Sequence, residues 1–300
     1  MGVMASYLVR LSGQAINLAC LVAPAAAGRA AFRLFSTTRP PEPADAKARR
    51  LYEMAQARMR EAERLLLATP GGHVAVHRFA PIGPASGQRH MVIHGWGSRV
   101  DYMQALVTGL RQAGAEVIGL DLPGHGGSTG RVLTVPMAIE AIDAAWRQYG
   151  HFNAMIGHSF GGFVAAMAAG APAGWLARRT PDRLVLIAAP VAASAVFDGY
   201  ARHMRYSGRV RRALAEQAGI LVGRPLDFFA ADRMLADVPE LPVLVLHAED
   251  DKEVPAEAAR RYQAAGAHVE LAWMNGLGHR RIVSSPETIE AISKFLGSSR

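Results

Sequence analysis

Ser159 lies in Gly157-His158-Ser159-Phe160-Gly161, a serine with a glycine two residues away on either side. That spacing suits nucleophilic chemistry. Phe152, Ala154, Met155 and Ile156 read as a short buried strand, and Phe163 to Ala169 as an Ala-rich buried helix. Between them a sharp strand-to-helix corner would push the serine hydroxyl out of the fold. Gly157 and Gly161 let strand and helix approach where a β-carbon would clash. A chance match in a flexible loop would not sit between two apolar segments. A serine hydroxyl is a weak nucleophile at neutral pH, however, and needs a base to take its proton.

The elements that could bring a base to it follow a regular pattern. Met91, Val92 and Ile93 form an apolar strand, and Met103, Leu106, Val107 and Leu110 share one helix face. Val117 to Leu120, Leu184 to Ile187 and Val243 to Leu246 are further apolar strands, and Val269, Leu271 and Trp273 alternate in a last one. Residues 134–149 and 286–296 read as helices, the second capped by Ser284 or Ser285. Short apolar strands alternating with helices predict an α/β fold, a mostly parallel sheet covered by helices on both faces. Residues 192–240 interrupt the alternation and read as a helical cap inserted over the strand ends, where ligands bind in open sheets. The core is expected over 72–191 and 241–300. Residues 46–71 are expected to form one amphipathic helix, with Leu51, Ala55, Met59, Ala62 and Leu66 on a stripe, stopped by Thr69-Pro70-Gly71-Gly72. Val74, Val76 and Phe79 alternate as a half-buried strand.

Half of the 300 residues are apolar and the formal net charge is +8. A single cysteine, Cys20, excludes an internal disulfide. No Cys/His spacing suggests zinc and no acidic loop suggests calcium, so no metal is expected. No recognition motif accompanies the basic charge, which argues against nucleic acid. Residues 1–40 hold four arginines and no acidic residue. A secretory signal with Ala25-Ala26-Ala27 at its cleavage region has too thin a charged start, with Arg10 placed late. Pro24, Ser12, Gln14 and Asn17 argue against a transmembrane helix. A basic amphipathic segment, lying on an anionic membrane surface or docked on the domain, fits best. Residues 36–45, with Pro40, Pro41 and Pro43, are the linker that ends this N-terminal segment of 1–45. A cytoplasmic location, with membrane association at the N-terminus, is the corresponding expectation.

Taken together, the motifs resemble those of the α/β-hydrolase superfamily over roughly residues 72–300. They are His94-Gly95-Trp96-Gly97, Asp121-Leu122-Pro123-Gly124-His125-Gly126, the Ser159 motif, His247-Ala248-Glu249-Asp250-Asp251-Lys252-Glu253-Val254-Pro255, and Gly276-Leu277-Gly278-His279. The order serine, acid, histidine is that family's order. The resemblance implies Ser159 as nucleophile and His279 as the base. It implies Asp251 as the acid that orients the imidazole and stabilises its positive charge. The pattern read back from Val254-Pro255 selects Asp251 over Asp250, with Ala248 where the family usually has glycine. The backbone N–H groups of Trp96 and Phe160 would form the oxyanion hole. His94, Trp96, His158 and Phe160 are expected to shape the substrate pocket, His94 and His125 by bonding loop backbone. His158 should point away from the nucleophile, since neighbouring side chains diverge at a sharp turn.

The implied activity is a serine hydrolase cleaving a small-molecule carboxylic ester or thioester through an acyl-enzyme, without cofactor. An acyltransferase or a cofactor-free perhydrolase or haloperoxidase would use the same three residues. A serine aminopeptidase and a non-catalytic ligand-binding member of the fold are the remaining alternatives. The cap carries Arg202, Arg205, Arg209, Arg211, Arg212 and Arg224, either as a solvated face or as attraction for an anion.

Overall fold

The buried apolar runs pair into one eight-stranded sheet in a computed structural model, which describes residues 3–38, 46–172 and 174–297. In chain order the elements are α1 (Val3–Val22), α2 (Pro24–Ser36), α3 (Ala46–Met59), β1 (Glu63–Thr69), β2 (Gly72–Phe79), β3 (Arg89–Ile93), α4 (Gln104–Gln112), β4 (Glu116–Leu120), α5 (Val135–Tyr149), β5 (Ala154–His158), α6 (Phe160–Ala169), β6 (Arg183–Ile187), α7 (Ala193–His203), α8 (Gly208–Val222), α9 (Ala231–Ala236), β7 (Val243–His247), α10 (Glu257–Gln263), β8 (Val269–Trp273), α11 (Gly278–Arg281) and α12 (Pro286–Gly297). The strand order is β1-β2-β4-β3-β5-β6-β7-β8. β1 and β2, and β2 and β4, pair antiparallel; every later pair is parallel.

Consecutive residues of β3 to β7 are buried, so both faces of the sheet centre are covered. Val92, Ile156, Val185 and Leu244 pack there with Leu106 and Leu110 of α4 and Ile292 and Phe295 of α12. The serine of α12's cap is Ser285, whose Oγ accepts from the Thr288 N–H at 3.1 Å.

One expected element is corrected. The helix predicted over 46–71 ends at Met59, and Glu63–Thr69 is an edge strand instead. Thr69-Pro70-Gly71-Gly72 is not a helix stop but a hairpin turn, closed by the Thr69 hydroxyl donating to the Gly72 carbonyl at 3.0 Å. Gly72 holds φ +130°, a value that L side chains rarely adopt. The sheet therefore starts at Glu63 rather than at residue 72. β2 is also more buried than its alternation suggested, because Ala75 and His77 are covered as well.

The chain divides into two units. The larger, residues 38–191 and 231–300, carries the sheet. The smaller, residues 1–37 and 192–230, is helical. Ala231–Glu240, expected in the inserted helical segment, belongs to the sheet-bearing unit, where α9 packs against α6: a β-carbon on Gly170 would lie 2.5 Å from the Met234 carbonyl. Within the helical unit, Ala27, Ala31 and Phe32 of α2 are buried with Val210, Leu214 and Ala218 of α8. The N-terminal segment is thus helical and packed on α8. The proline-rich stretch 39–45 lies outside the described residues. Among the described residues no helix is long and apolar enough to cross a membrane.

Candidate active site

β5 delivers Ser159 at the C-terminal edge of the sheet. Its N–H is bonded to the Ile187 carbonyl at 2.8 Å, so the corner is tied to the neighbouring strand β6. Ser159 has φ +51° and ψ −123°, a strained backbone for a non-glycine residue. The glycines make this corner possible. A β-carbon on Gly157 would lie 2.4 Å from the Gly162 nitrogen, and one on Gly161 would lie 2.4 Å from the Ile93 carbonyl oxygen. The chain turns at once into α6, whose residues are buried all round.

His279 comes from α11, a single helical turn, and Gly278 before it has φ +57°. Its Nε2 lies 3.0 Å from Ser159 Oγ, and its Nδ1 lies 2.7 Å from Asp251 Oδ2. Asp251 Oδ1 accepts the N–H groups of Glu253 at 2.8 Å and Val254 at 2.9 Å. Burial by itself would raise the Asp251 pKa. The hydrogen bond from His279, the two backbone N–H groups and the His279 charge outweigh burial and hold it below the usual carboxylate value. Asp251 is therefore an anion that keeps Nδ1 protonated and leaves Nε2 free to accept from the serine.

The loop after β7 is laced to the loop after β8 by three consecutive acids. Glu249 bonds Asn275 through both its N–H and its carboxylate, Asp250 accepts the Gly276 N–H at 2.8 Å, and Asp251 takes His279. Asp250 is thus a loop-holding carboxylate. Ala248 fits where glycine was expected: it is fully buried, and its carbonyl accepts the Asp251 N–H at 3.0 Å.

The loop after β3 runs against the serine. A β-carbon on Gly95 would lie 3.0 Å from Ser159 Cβ. Two histidines hold this loop to the loop after β4. His94 donates from Nδ1 to the Gly95 carbonyl at 2.7 Å and accepts the Leu122 N–H on Nε2 at 3.0 Å. His125 donates to the Pro123 carbonyl at 3.0 Å and accepts the Gly97 N–H at 2.9 Å. Burial lowers the His94 pKa to about 4, the nearby Asp121 charge offsetting only part of it, so the ring is neutral. Trp96, on this loop, stands edge-on to Phe160 with ring centroids 5.3 Å apart. Phe160 is the first residue of α6, so its N–H has no acceptor within the helix.

Two of the expected pocket residues are buried. His94 is fully buried and bonds loop backbone through both ring nitrogens, as expected of a residue that shapes the loop. His158 is buried too, and its Nε2 donates to the His279 carbonyl at 2.8 Å. Its burial, then the charge of His279, lower its pKa to about 4. Pointing away from Ser159 thus brings it under the histidine that meets Ser159. Sequence reasoning missed Glu253, whose Oε2 lies 3.8 Å from His279 Nε2. Only its place two residues after Asp251 could have drawn attention to it. Among the described residues no group of three or more His, Cys, Asp or Glu could hold a metal ion.

A serine on a strained strand-to-helix corner, hydrogen-bonded to a histidine that is hydrogen-bonded to a buried carboxylate, defines a hydrolase-type α/β protein. The chain belongs to the alpha/beta hydrolase family, whose model matches residues 91–292. No curated protein is similar enough in sequence to be matched. Among solved structures, an esterase of Pyrococcus furiosus is 18% identical, with 86% of this chain and 98% of that one covered at a TM-score of 0.58. The esterase domain of a Rhodothermus marinus protein is 19% identical, with 79% and 96% covered at 0.55. The thioesterase domain of the curacin biosynthetic pathway is 14% identical, with 79% and 99% covered at 0.55. At these identities the likeness is one of fold.

Proposed function

We propose that the protein is a serine hydrolase that cleaves a carboxylic ester or thioester through a covalent acyl-enzyme. The observation that carries this reading is the continuous array of Ser159 Oγ, His279 and Asp251 with contacts of 3.0 Å and 2.7 Å. Ser159 attacks the acyl carbonyl while His279 Nε2 takes its proton. Asp251 stabilises the imidazolium without taking the proton. The N–H groups of Trp96 and Phe160 receive the negative oxygen, with the positive end of α6 behind Phe160. His279 then protonates the departing alcohol or thiol. Water, deprotonated by the same nitrogen, releases the acid and restores Ser159. The esterase and thioesterase relatives in fold support this substrate class.

A fluorophosphonate probe, applied to the wild type and to Ser159→Ala, tests the reading. Labelling of the wild type alone, together with turnover of p-nitrophenyl esters or acyl thioesters, is the expected result. A folded wild type that neither labels nor turns over any of these substrates would overturn it.

A further inference from the structure

The helical unit concentrates two properties, apolar exposure and positive charge. The five most exposed large apolar side chains among the described residues are Leu18, Leu21, Val22, Ile220 and Leu221, from 62% for Leu21 to 89% for Val22, and all lie in this unit. The same residues, 1–37 and 192–230, hold nine arginines, no lysine and three carboxylates, and so carry six of the chain's eight net positive charges. The eight of these arginines whose side chains are described are all exposed.

The apolar exposure is continuous at one place. Leu21, Val22, Ala23, Pro24, Ala25 and Ala26, which join α1 to α2, are all exposed, and Leu18 and Ala19 extend the patch back along α1. This turn is not loose. Cys20 and Ala27, on either side of it, are buried in the unit's own core. A β-carbon on Gly28 would lie 2.5 Å from the Ala213 carbonyl, so α2 is seated closely on α8. Asn17 fixes α1 through bonds to the Arg205 carbonyl at 3.0 Å and the Ser207 N–H at 2.8 Å. The structure therefore holds a rigid helical corner with a water-exposed apolar tip. Ile220 and Leu221, on the last turn of α8, form a second exposed pair with Arg224 nearby.

We propose that this unit docks the protein on an anionic lipid bilayer, the α1–α2 turn entering the boundary between headgroups and acyl chains. An exposed apolar patch wants a nonpolar partner. A surplus of exposed arginines selects one with negative charge, and an anionic bilayer meets both demands at once. No described helix is long and apolar enough to cross a membrane, so the attachment proposed is a shallow one. The proposal does not depend on the chemistry at Ser159.

The test is co-sedimentation of the full chain with vesicles of phosphatidylcholine alone, or with about one-third phosphatidylserine, at low and high salt. Binding to the anionic vesicles that weakens at high salt is expected. Leu21→Ser combined with Val22→Ser should weaken it by roughly tenfold or more, while turnover of a short soluble ester stays at the wild-type level. Arg209→Glu with Arg212→Glu should also weaken binding and remove the salt dependence. Equal sedimentation of wild type and Leu21/Val22 variant overturns the proposal. So does failure of the wild type to bind. If the Leu21/Val22 variant instead converts a wild-type dimer to a monomer in light scattering, without vesicle binding, the tip joins two copies of the chain and the proposal is likewise overturned.

Discussion

Glu253 places its Oε2 3.8 Å from His279 Nε2, the ring nitrogen that also meets Ser159 Oγ at 3.0 Å. Its other oxygen accepts from Arg280 Nε at 2.9 Å, and its backbone N–H donates to Asp251. A half-exposed negative charge thus stands beside the ring nitrogen that meets Ser159. It repels an anionic substrate. Solvent and Arg280 screen much of this field. Glu253→Gln should raise kcat/KM for an anionic ester relative to a neutral one by about threefold to tenfold at low salt. The gain should fade at high salt. An unchanged ratio would remove Glu253 from any part in specificity.

His158 donates from Nε2 to the His279 carbonyl at 2.8 Å and is expected to position that histidine. Replacing it with phenylalanine leaves that buried carbonyl without its donor, which costs about 1–3 kcal/mol. His158→Phe should lower kcat by roughly tenfold to a hundredfold with little change in KM. His158→Gln, which can still donate, should recover part of the loss. A KM rise at constant kcat would instead assign His158 to substrate binding.

The parts of this architecture that the sequence made legible are those buried on both sides. β3 to β7 are short apolar runs whose length and continuity mark strands covered on both faces, and the Ser159 motif marks a corner where a β-carbon on Gly157 or Gly161 would clash. β1 was not legible because Arg64, Leu65, Leu66 and Leu67 suit a helix as well as a strand. As an edge strand it buries chiefly Leu67, leaving Leu65 and Leu66 more than a third exposed, so no alternation marks it. The ladder of Glu249, Asp250 and Asp251 joins loops 26 to 28 residues apart. The approach of His158 and Glu253 to His279 depends on that loop pairing, and no local spacing encodes it.

Gly95 offers a direct test of the oxyanion arrangement. An added β-carbon would stand 3.0 Å from Ser159 Cβ and 3.3 Å from the His158 carbonyl oxygen. The loop carrying Trp96 must then move outward from the serine. Gly95→Ala should cut kcat by about a hundredfold to a thousandfold, the range for loss of one oxyanion donor. The protein should stay folded, as judged by its far-UV circular dichroism. Wild-type kcat in this variant would show that the Trp96 N–H is not one of the donors.

Acid stability depends on buried neutral histidines. Burial lowers the pKa of His90, His94 and His158 to about 4 each, from 6.5 in an open chain. Below pH 6.5 the unfolded chain gains protons on these rings while the folded chain does not. Stability therefore falls as pH drops from about 6.5 to about 4, by up to about 1.4 kcal/mol per pH unit for each ring. Asp121, held at about 2 against its burial by His77, His94 and the Gly127 N–H, adds a loss only below its open-chain value of 3.8. His90 is the ring to test, because it lies at the start of β3, far along the strand from Ser159, and its Nδ1 is buried without a partner. Urea unfolding at about pH 7 and about pH 5 should show the wild type losing roughly 1–2 kcal/mol more than His90→Gln. The same loss in both proteins would mean that His90 takes up its proton in the folded state as readily as in the unfolded one.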